Sequence, residues 1–518
     1  MIKVTSRKAP AADIVDDLDS ILPRLATKDP SLWGIGAEGD AAVRLGWITS
    51  PDEARDLLPK IAELVAWAND HGLDRVVLCG MGGSSLAPEV ICRVSGKEIT
   101  IVDSTDPGQV HSAIFNRLAN TVVVISSKSG STIETASAMA AFESAFKTAT
   151  LSPLDHMIVV TDPDSPLAKT AGATGYRILT ADPTVGGRYS ALTAFGLLPS
   201  ALAGVNITEL VHDADSITKI MSAPESPAVT LAALLAEHEK TSAFFSLLAP
   251  DGIGNWVEQL VAESTGKSNH GLLPIVVETG QSAGFEGEGI LSIALNEKVD
   301  AEIEIDGPLG AQFVLWEWAT ALLGRAIGVN PYDQPNVAES KAKTSEMLKN
   351  TDQLAMKSDS KFGSVEIFGD IGGETLADTL DEFFDQVPAH GYLALMVFLD
   401  RFADAQASNL RNEIAKILPH PVTFGWGPRF LHSTGQFHKG HPTIGAFLQI
   451  TGDVKSDYPI PDQTYSFHTL QMAQAIGDGL ALKARSVPLI RLHLTDRLQG
   501  LIEIAAAVSE VTRRRVTS

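Results

Sequence analysis

The chain is expected to be an α/β protein built from parallel βαβ units, and three observations predict this. Between residues 75 and 160, short apolar runs alternate with helical stretches, which calls for parallel strands with helices on both sheet faces. The run Val122-Val123-Val124-Ile125 holds four β-branched residues in succession, the pattern of a strand buried on both faces. That run ends in Ser126-Ser127-Lys128-Ser129-Gly130-Ser131-Thr132, and a helical pattern starts at Ile133. A strand, a hydroxyl-rich loop and a helix N-terminus together make an anion site. Free N–H groups and the positive end of the helix dipole face the ligand, and Ser and Thr add donors. A phosphorylated small molecule is the expected ligand; an ordinary βα turn with an N-cap serine is the plainer alternative.

Taken in order, Pro and Gly breaks divide residues 13–70 into helices at 14–25, 41–45 and 54–68. Strands come next at 75–79, 99–102, 121–125, 157–160 and 176–179, with helices such as 108–118 and 135–146 between them. A second α/β unit starts near residue 201, with helices at 207–221 and 228–240 and strands at 242–248 and 273–277. Residues 309–327 form a long apolar helix that is expected to be buried. The polar stretch 340–360 reads as a boundary. A third unit then has strands at 392–399, 421–425 and 446–450 and helices at 469–484 and 491–508. The expected domains are 1–200, 201–355 and 356–518, with no fixed-period repeat. A length of 518 residues suits two to four domains at ~150 residues each.

Composition excludes several classes. A formal charge of −23 argues against nucleic acid, which needs a basic face. It also means that any phosphate site must be made from local donors and a few placed cations. No run of ~18 apolar residues exists, so no membrane helix is expected. Residues 1–20 lack the apolar core of a secretory signal, and Cys79 and Cys92 form neither a disulfide framework nor a zinc site. A reducing, cytoplasmic setting is expected, without metal or cofactor.

Further segments carry chemistry. Gly80-Met81-Gly82-Gly83-Ser84-Ser85 comes after another strand, and its glycines allow close backbone approach to a ligand. The glycine spacing is not that of a dinucleotide fingerprint. Loops at the carboxyl ends of parallel strands share one crevice, so this loop and 126–132 can act together. Gln259 and Glu263 lie four apart on one helix face, and Glu263 near the helix end can project into a cleft as a general base. A solvated helix glutamate is the alternative. Gln334 and Lys341 lie seven apart, two turns on a helix.

These motifs resemble the phosphoglucose isomerases. Gly82-Gly83-Ser84, Ser127 to Thr132, Gly186-Gly187-Arg188, Gln259 with Glu263-Ser264-Thr265-Gly266-Lys267, Leu309-Gly310-Ala311, and Asp333-Gln334 with Lys341 occur in that family's order over about residues 70–350. Leu32-Trp33-Gly34, Arg44-Leu45-Gly46-Trp47 and the segment from Pro428 to Gly440 extend the likeness to the isomerase half of fused transaldolase–isomerase proteins. The resemblance implies two sugar-isomerase (SIS) type domains plus a C-terminal α/β segment. It implies interconversion of glucose 6-phosphate and fructose 6-phosphate through a cis-enediol(ate), with no cofactor. Ser127, Lys128, Ser129, Thr132 and Thr135 would surround the phosphate, and Gly83 and Ser84 the sugar. Glu263 would move the proton between C2 and C1, and Arg188 would stabilise the enediolate. Lys341 and a histidine would open the sugar ring, while Gln259 and Gln334 would position the substrate.

One departure stands out. Common isomerases place that histidine soon after the catalytic glutamate in a Gly-Gln-His motif; here only His270 lies between Glu263 and Lys341, too close to serve. Gly435-Gln436-Phe437-His438 makes His438 the expected residue, ahead of His432 and then His441. The family implies a homodimer, and the absence of a transaldolase barrel leaves room for a separate transaldolase partner. Broader sugar-phosphate specificity (mannose 6-phosphate), a non-catalytic sugar-phosphate sensor and a Schiff-base lyase are the competing readings.

Overall fold

A computed structural model of the chain describes residues 2–350, 354, 356–441 and 444–517. These residues form three sheets. The strand β1 (Lys3–Ser6) leads into a helical stretch. Then β2 (Arg75–Gly80), β3 (Thr100–Val102), β4 (Thr121–Ser126), β5 (Met157–Thr161) and β6 (Arg177–Thr180) form an all-parallel sheet in the order β3-β2-β4-β5-β6. All six residues of β4 are buried, as their unbroken apolar sequence requires with helices on both faces.

The second sheet has the order β1-β10-β9-β7-β8, built from β7 (Phe244–Leu248), β8 (Leu273–Val277), β9 (Leu291–Leu295) and β10 (Ile303–Asp306). Its strands are parallel except β1, which pairs antiparallel with β10, so the first residues of the chain close the edge of this sheet. The third sheet has the order β11-β12-β16-β15-β13-β14, from β11 (Ser360–Phe362), β12 (Val365–Phe368), β13 (Tyr392–Phe398), β14 (Val422–Trp426), β15 (Gly445–Gly452) and β16 (Leu489–Leu494). Strands β13 to β16 are parallel, and the β11–β12 hairpin adds an antiparallel edge.

Within each sheet the four main parallel strands keep one order. The first strand lies between the second and the third, and the fourth lies beyond the third. The chain therefore reverses direction between the first and third strands, and ligand crevices form at that point. In the first sheet this is the gap between β2 and β4, which brings loops 80–85 and 126–132 together.

The helix Leu309–Ala326 is buried along nearly its whole length and ties the N-terminal helices, the first sheet and the second sheet into one core. The third sheet has its own core, and a further apolar cluster joins it to the second sheet. Among the described residues no helix is long and apolar enough to cross a membrane.

Two expectations need correction. The polar stretch after residue 340 is not a bare boundary: the helix Val337–Lys349 packs against the helix Phe467–Lys483, with Ser340, Thr344 and Met347 buried. Gly477 permits that approach, since a Cβ there would lie 3.0 Å from the Thr344 nitrogen. The expected helix 491–508 begins too early. Ile490, Leu492 and Leu494 alternate into the core as β16, and the helix runs Arg497–Thr517.

Candidate active site

The loop after β4 leads into the helix Ile133–Thr148. Ser127 Oγ accepts from the Gly130 N–H at 3.1 Å, and the Ser129 and Ser131 hydroxyls lie 2.8 Å apart. Thr132 is the extended residue before the helix, yet its side chain does not cap the helix N–H groups. The Thr135 hydroxyl is buried with no hydrogen-bond partner among the described residues. The Thr135 hydroxyl and the first-turn donors are thus uncommitted, which suits an anion, while Ser127, Ser129 and Ser131 bond within the loop. Lys128 does not share the cradle. Its ammonium pairs with Asp162 at 2.7 Å and donates to the Pro183 carbonyl at 3.2 Å, because the β5 and β6 loops present those acceptors beside it.

The loop after β2 meets three other segments. Gly82 has φ +55°, and a Cβ there would sit 2.9 Å from both Gln259 Nε2 and the His432 carbonyl. A Cβ on Gly83 would sit 1.9 Å from the Gly187 carbonyl. Only glycine lets these backbones touch. Ser84 sits in the first turn of the helix Gly83–Val94 and is almost fully buried.

Glu263 projects from the buried helix Ile253–Thr265 toward Arg188, which the turn Gly187–Tyr189 delivers from the first unit. Arg188 Nη1 lies 3.1 Å from Glu263 Oε1, with the side chains 4% and 11% exposed. Arg188 also donates to Ser264 Oγ (2.8 Å), Gln334 Oε1 (2.9 Å) and the Pro331 carbonyl (2.6 Å). Gln259 Nε2 donates to Glu263 Oε2 at 3.1 Å and to the His432 carbonyl at 2.9 Å. Four segments therefore hold one carboxylate and one guanidinium in fixed register.

Behind them, Lys267 donates to Asp333 Oδ1 (2.6 Å) and to the Asn330 carbonyl (2.6 Å), pinning the loop that carries Gln334. Burial, and then the charge of Arg188, push the Lys267 ammonium down to about 8.

His438 does not join this group. Its helix, Gly435–Gly440, turns the ring into an aromatic cluster. The ring stacks on Tyr392 at 5.7 Å, and Nδ1 lies 2.6 Å from the Tyr392 hydroxyl. Burial pushes it down to about 3, so it stays neutral. His441 stacks on Phe437 instead. It is His432 that faces a cavity of about 110 Å³, shared with Ser131, Glu134, Lys341 and Gln474.

His432 Nε2 lies 2.9 Å from Glu134 Oε1, which also accepts from Gln474 Nε2 at 2.7 Å. Gln474 in turn accepts from Thr105 at 2.7 Å. Burial alone would raise the Glu134 carboxyl. The His432 ring and, further off, Lys341 more than offset that and hold it below the usual carboxylate range.

Glu134, Gln474, Ser264 and Lys267 were not singled out from sequence as acting residues. Only Glu134 carried a usable signal: an acidic residue in the first turn of the helix after the hydroxyl-rich loop that turns out to be buried. Among the described residues no group of three or more His, Cys, Asp or Glu is arranged to hold a metal ion. Chemically, a carboxylate beside a guanidinium, both shielded from water, can take a proton from carbon and hold the negative charge that results.

Residues 52–262 match the family model of phosphoglucose isomerase. The glucose-6-phosphate isomerase of Cyanothece sp. (strain PCC 7425 / ATCC 29141) is 30% identical over 339 residues, covering 51% of this chain and 64% of that protein. The glucose-6-phosphate isomerase of Thermus thermophilus (strain ATCC 27634 / DSM 579) is 32% identical over 248 residues, covering 45% and 58%. The matches thus span 64% and 58% of the length of these two relatives. Among solved structures, a hypothetical protein of Thermus thermophilus has a TM-score of 0.57 at 25% identity, covering 67% of this chain and 100% of that one. A glucose-6-phosphate isomerase of Chlamydia trachomatis has a TM-score of 0.57 at 17% identity, covering 68% and 89%, and shares the fold.

Proposed function

We propose, for a chain that resembles the phosphoglucose isomerases, that it interconverts glucose 6-phosphate and fructose 6-phosphate. The observation that carries this reading is the buried Glu263–Arg188 pair, 3.1 Å apart, at the crevice that also holds the unpartnered Thr135 hydroxyl. The sugar phosphate would bind at the N-terminus of the helix Ile133–Thr148, through Ser127, Ser129, Thr132 and Thr135. Gly83 and Ser84 would border the sugar.

Glu263 would then take the proton from C2 and return it to C1 on the same face. Arg188 would hold the negative oxygen of the cis-enediolate, where a fixed cation lowers the barrier most. Gln259 and Gln334 each contact one member of the pair and keep both in register.

Ring opening would fall to His432 rather than His438. The Glu134 carboxylate fixes the His432 ring through Nε2, leaving its other nitrogen for the ring oxygen, and Lys341 borders the same cavity. Lys128 would act only at the edge of the phosphate site, through the loop that it pins with Asp162. The homodimer and the transaldolase partner rest on the resemblance alone, and light scattering of the purified chain, alone and with a transaldolase, tests them.

The deciding experiment is a coupled assay from fructose 6-phosphate to glucose 6-phosphate, with Glu263→Gln as comparison. Wild-type activity that falls ~10²-fold or more in the variant is expected, the usual size of a lost general base. Deuterium from solvent should enter at C2 of the glucose 6-phosphate formed. Activity that survives the substitution moves the base elsewhere.

A further inference from the structure

A second cavity, of about 350 Å³, opens where the three units meet. None of its lining residues borders the His432 cavity, and Ser127, Arg188 and Glu263 take no part in it. Four arginines line it, Arg93, Arg401, Arg411 and Arg429, in a chain whose formal charge is −23. Such a gathering of cations against the overall charge has to be held by local structure.

The holding groups are carboxylates from the first and second units. Glu89 lies 2.8 Å from Arg93, Arg401 and Arg429 alike. Asp103 lies 3.5 Å from Arg401 and 3.2 Å from Arg429. Arg411 Nε donates to Glu278 at 2.7 Å. Four guanidiniums thus meet Glu89, Asp103 and Glu278, and the Asp400 carboxylate also acts on Arg401. A further carboxyl at the cavity, Glu258, is pushed up to about 8 by burial and stays largely protonated at neutral pH, so it adds little negative charge.

Hydrogen bonding in the cluster is incomplete on both sides: among the described residues Glu89 Oε2 and both Asp103 carboxylate oxygens lack a hydrogen bond, as do Arg401 Nε and Nη2. Each guanidinium has five N–H groups. The Arg401 side chain is only 7% exposed, yet its Nη2 has no hydrogen-bond partner among the described residues. A buried donor without an acceptor is costly, and a phosphate oxygen supplies the acceptor.

The remaining wall is aromatic. Phe402 is 56% exposed, with the Arg401 guanidinium 4.7 Å above its ring. Phe424 and Trp426 meet edge to face at 5.0 Å and also line the cavity. The exposed Phe402 and the half-buried Phe424 and Trp426 beside the arginines offer a stacking surface to a planar ring. The volume lies in the range of small-ligand pockets.

We propose that this cavity binds a nucleoside polyphosphate, its phosphates on Arg93, Arg401 and Arg429 and its base against Phe402 and Trp426. Bare polyphosphate would satisfy the arginines alone and a nucleoside the aromatic wall alone; the two features side by side select a ligand that carries both.

The test is calorimetric titration of the full chain with ADP, in saturating fructose 6-phosphate so that the other phosphate site is filled. Tripolyphosphate and adenosine are titrated in parallel. ADP is expected to bind at least ~10-fold more tightly than either, since a charged hydrogen bond and a stacked base are each worth that much. Arg93→Gln, whose side chain is 48% exposed, should weaken ADP by at least ~10-fold at an unchanged melting temperature, and Trp426→Leu by as much in protein that still melts cooperatively. Absence of ADP binding at millimolar concentration overturns the proposal. So does tripolyphosphate binding as tightly as ADP, or ADP binding unaffected by either variant.

Discussion

Truncating His438 and His432 separately should split stability from catalysis. His438 is buried, stacked on Tyr392, and edge-on to Phe447 at 5.5 Å. Replacing it by alanine leaves a hole in a packed aromatic cluster, at a typical cost of about 2–5 kcal/mol. It also strips the buried Tyr392 hydroxyl of its hydrogen bond to Nδ1, adding ~1–3 kcal/mol. Partial collapse of the site offsets some of this, so a net loss of about 3–5 kcal/mol is expected. His432 makes no comparable core contact, and its ring touches Glu134 at the cavity. His432→Ala takes one partner from the buried Glu134 carboxylate but leaves its Gln474 bond, so it should cost less stability than His438→Ala while losing ~10²–10⁴ in kcat on the cyclic sugar, as a lost acid–base group does. Thermal melts monitored by circular dichroism, with coupled assays normalised to folded protein, read both quantities. A His438→Ala variant with wild-type melting and a hundredfold loss of kcat would refute the argument and return ring opening to His438.

The other expectations concern pH, close packing and the phosphate cradle. His438 is held down to about 3 from 6.5, so its contribution to stability is complete above 6.5 and is lost as pH falls toward 3, at ~1.4 kcal/mol per unit. His438→Gln, which can still bond Tyr392 but cannot titrate, should flatten that part of the acid melting profile; an unchanged slope would contradict it. Glu258 is raised from 4.5 to about 8, so its contribution is complete below 4.5 and is lost as pH climbs through 8. Glu258→Gln should therefore melt above the wild type in alkaline buffer, and equal melting there would show that Glu258 ionises freely. Gly83→Ala drives a Cβ to 1.9 Å from the Gly187 carbonyl, so it should displace Arg188 and lower kcat by a factor of ten or more, with sugar-phosphate binding by calorimetry largely kept. Thr135→Val should raise KM ~10-fold with little change in kcat, and an unaffected KM would remove Thr135 from the cradle.

The parallel units and the anion-binding loop were readable because they are written locally. Val122 to Ile125, with hydroxyls directly after, specifies a strand, a turn and a helix start within a dozen residues. Glu263 and Gln259 were readable for the same reason: four residues apart on a helix means one face, and their side chains meet at 3.1 Å. The polar helix Val337–Lys349 was not readable, because its buried face is Ser340, Thr344 and Met347, chosen to meet Gly477 on another helix rather than to look apolar. The two short strands β11 and β12 and the edge strand β1 were missed as well. β1 and β12 are defined by pairing partners far along the chain, with β1 joined to β10 across some 300 residues, and β11 follows as the hairpin partner of β12.

By itself the sequence determined the α/β units, the order of their motifs and the residue types gathered for acid–base work and anion binding. Tertiary structure decided which of them meet. His432 and His438 lie in the same short segment, on adjacent turns. One faces Glu134 from the first unit and the other faces Tyr392 from the third sheet. Lys128 sits within the phosphate loop yet bonds Asp162, while Glu134, two residues past Thr132, is the carboxylate that orients the histidine. Periodicity and turn chemistry act over a few residues, so a sequence displays them directly. The partner of a buried polar side chain is set by how separately folded units dock, and that depends on surfaces assembled from the whole chain.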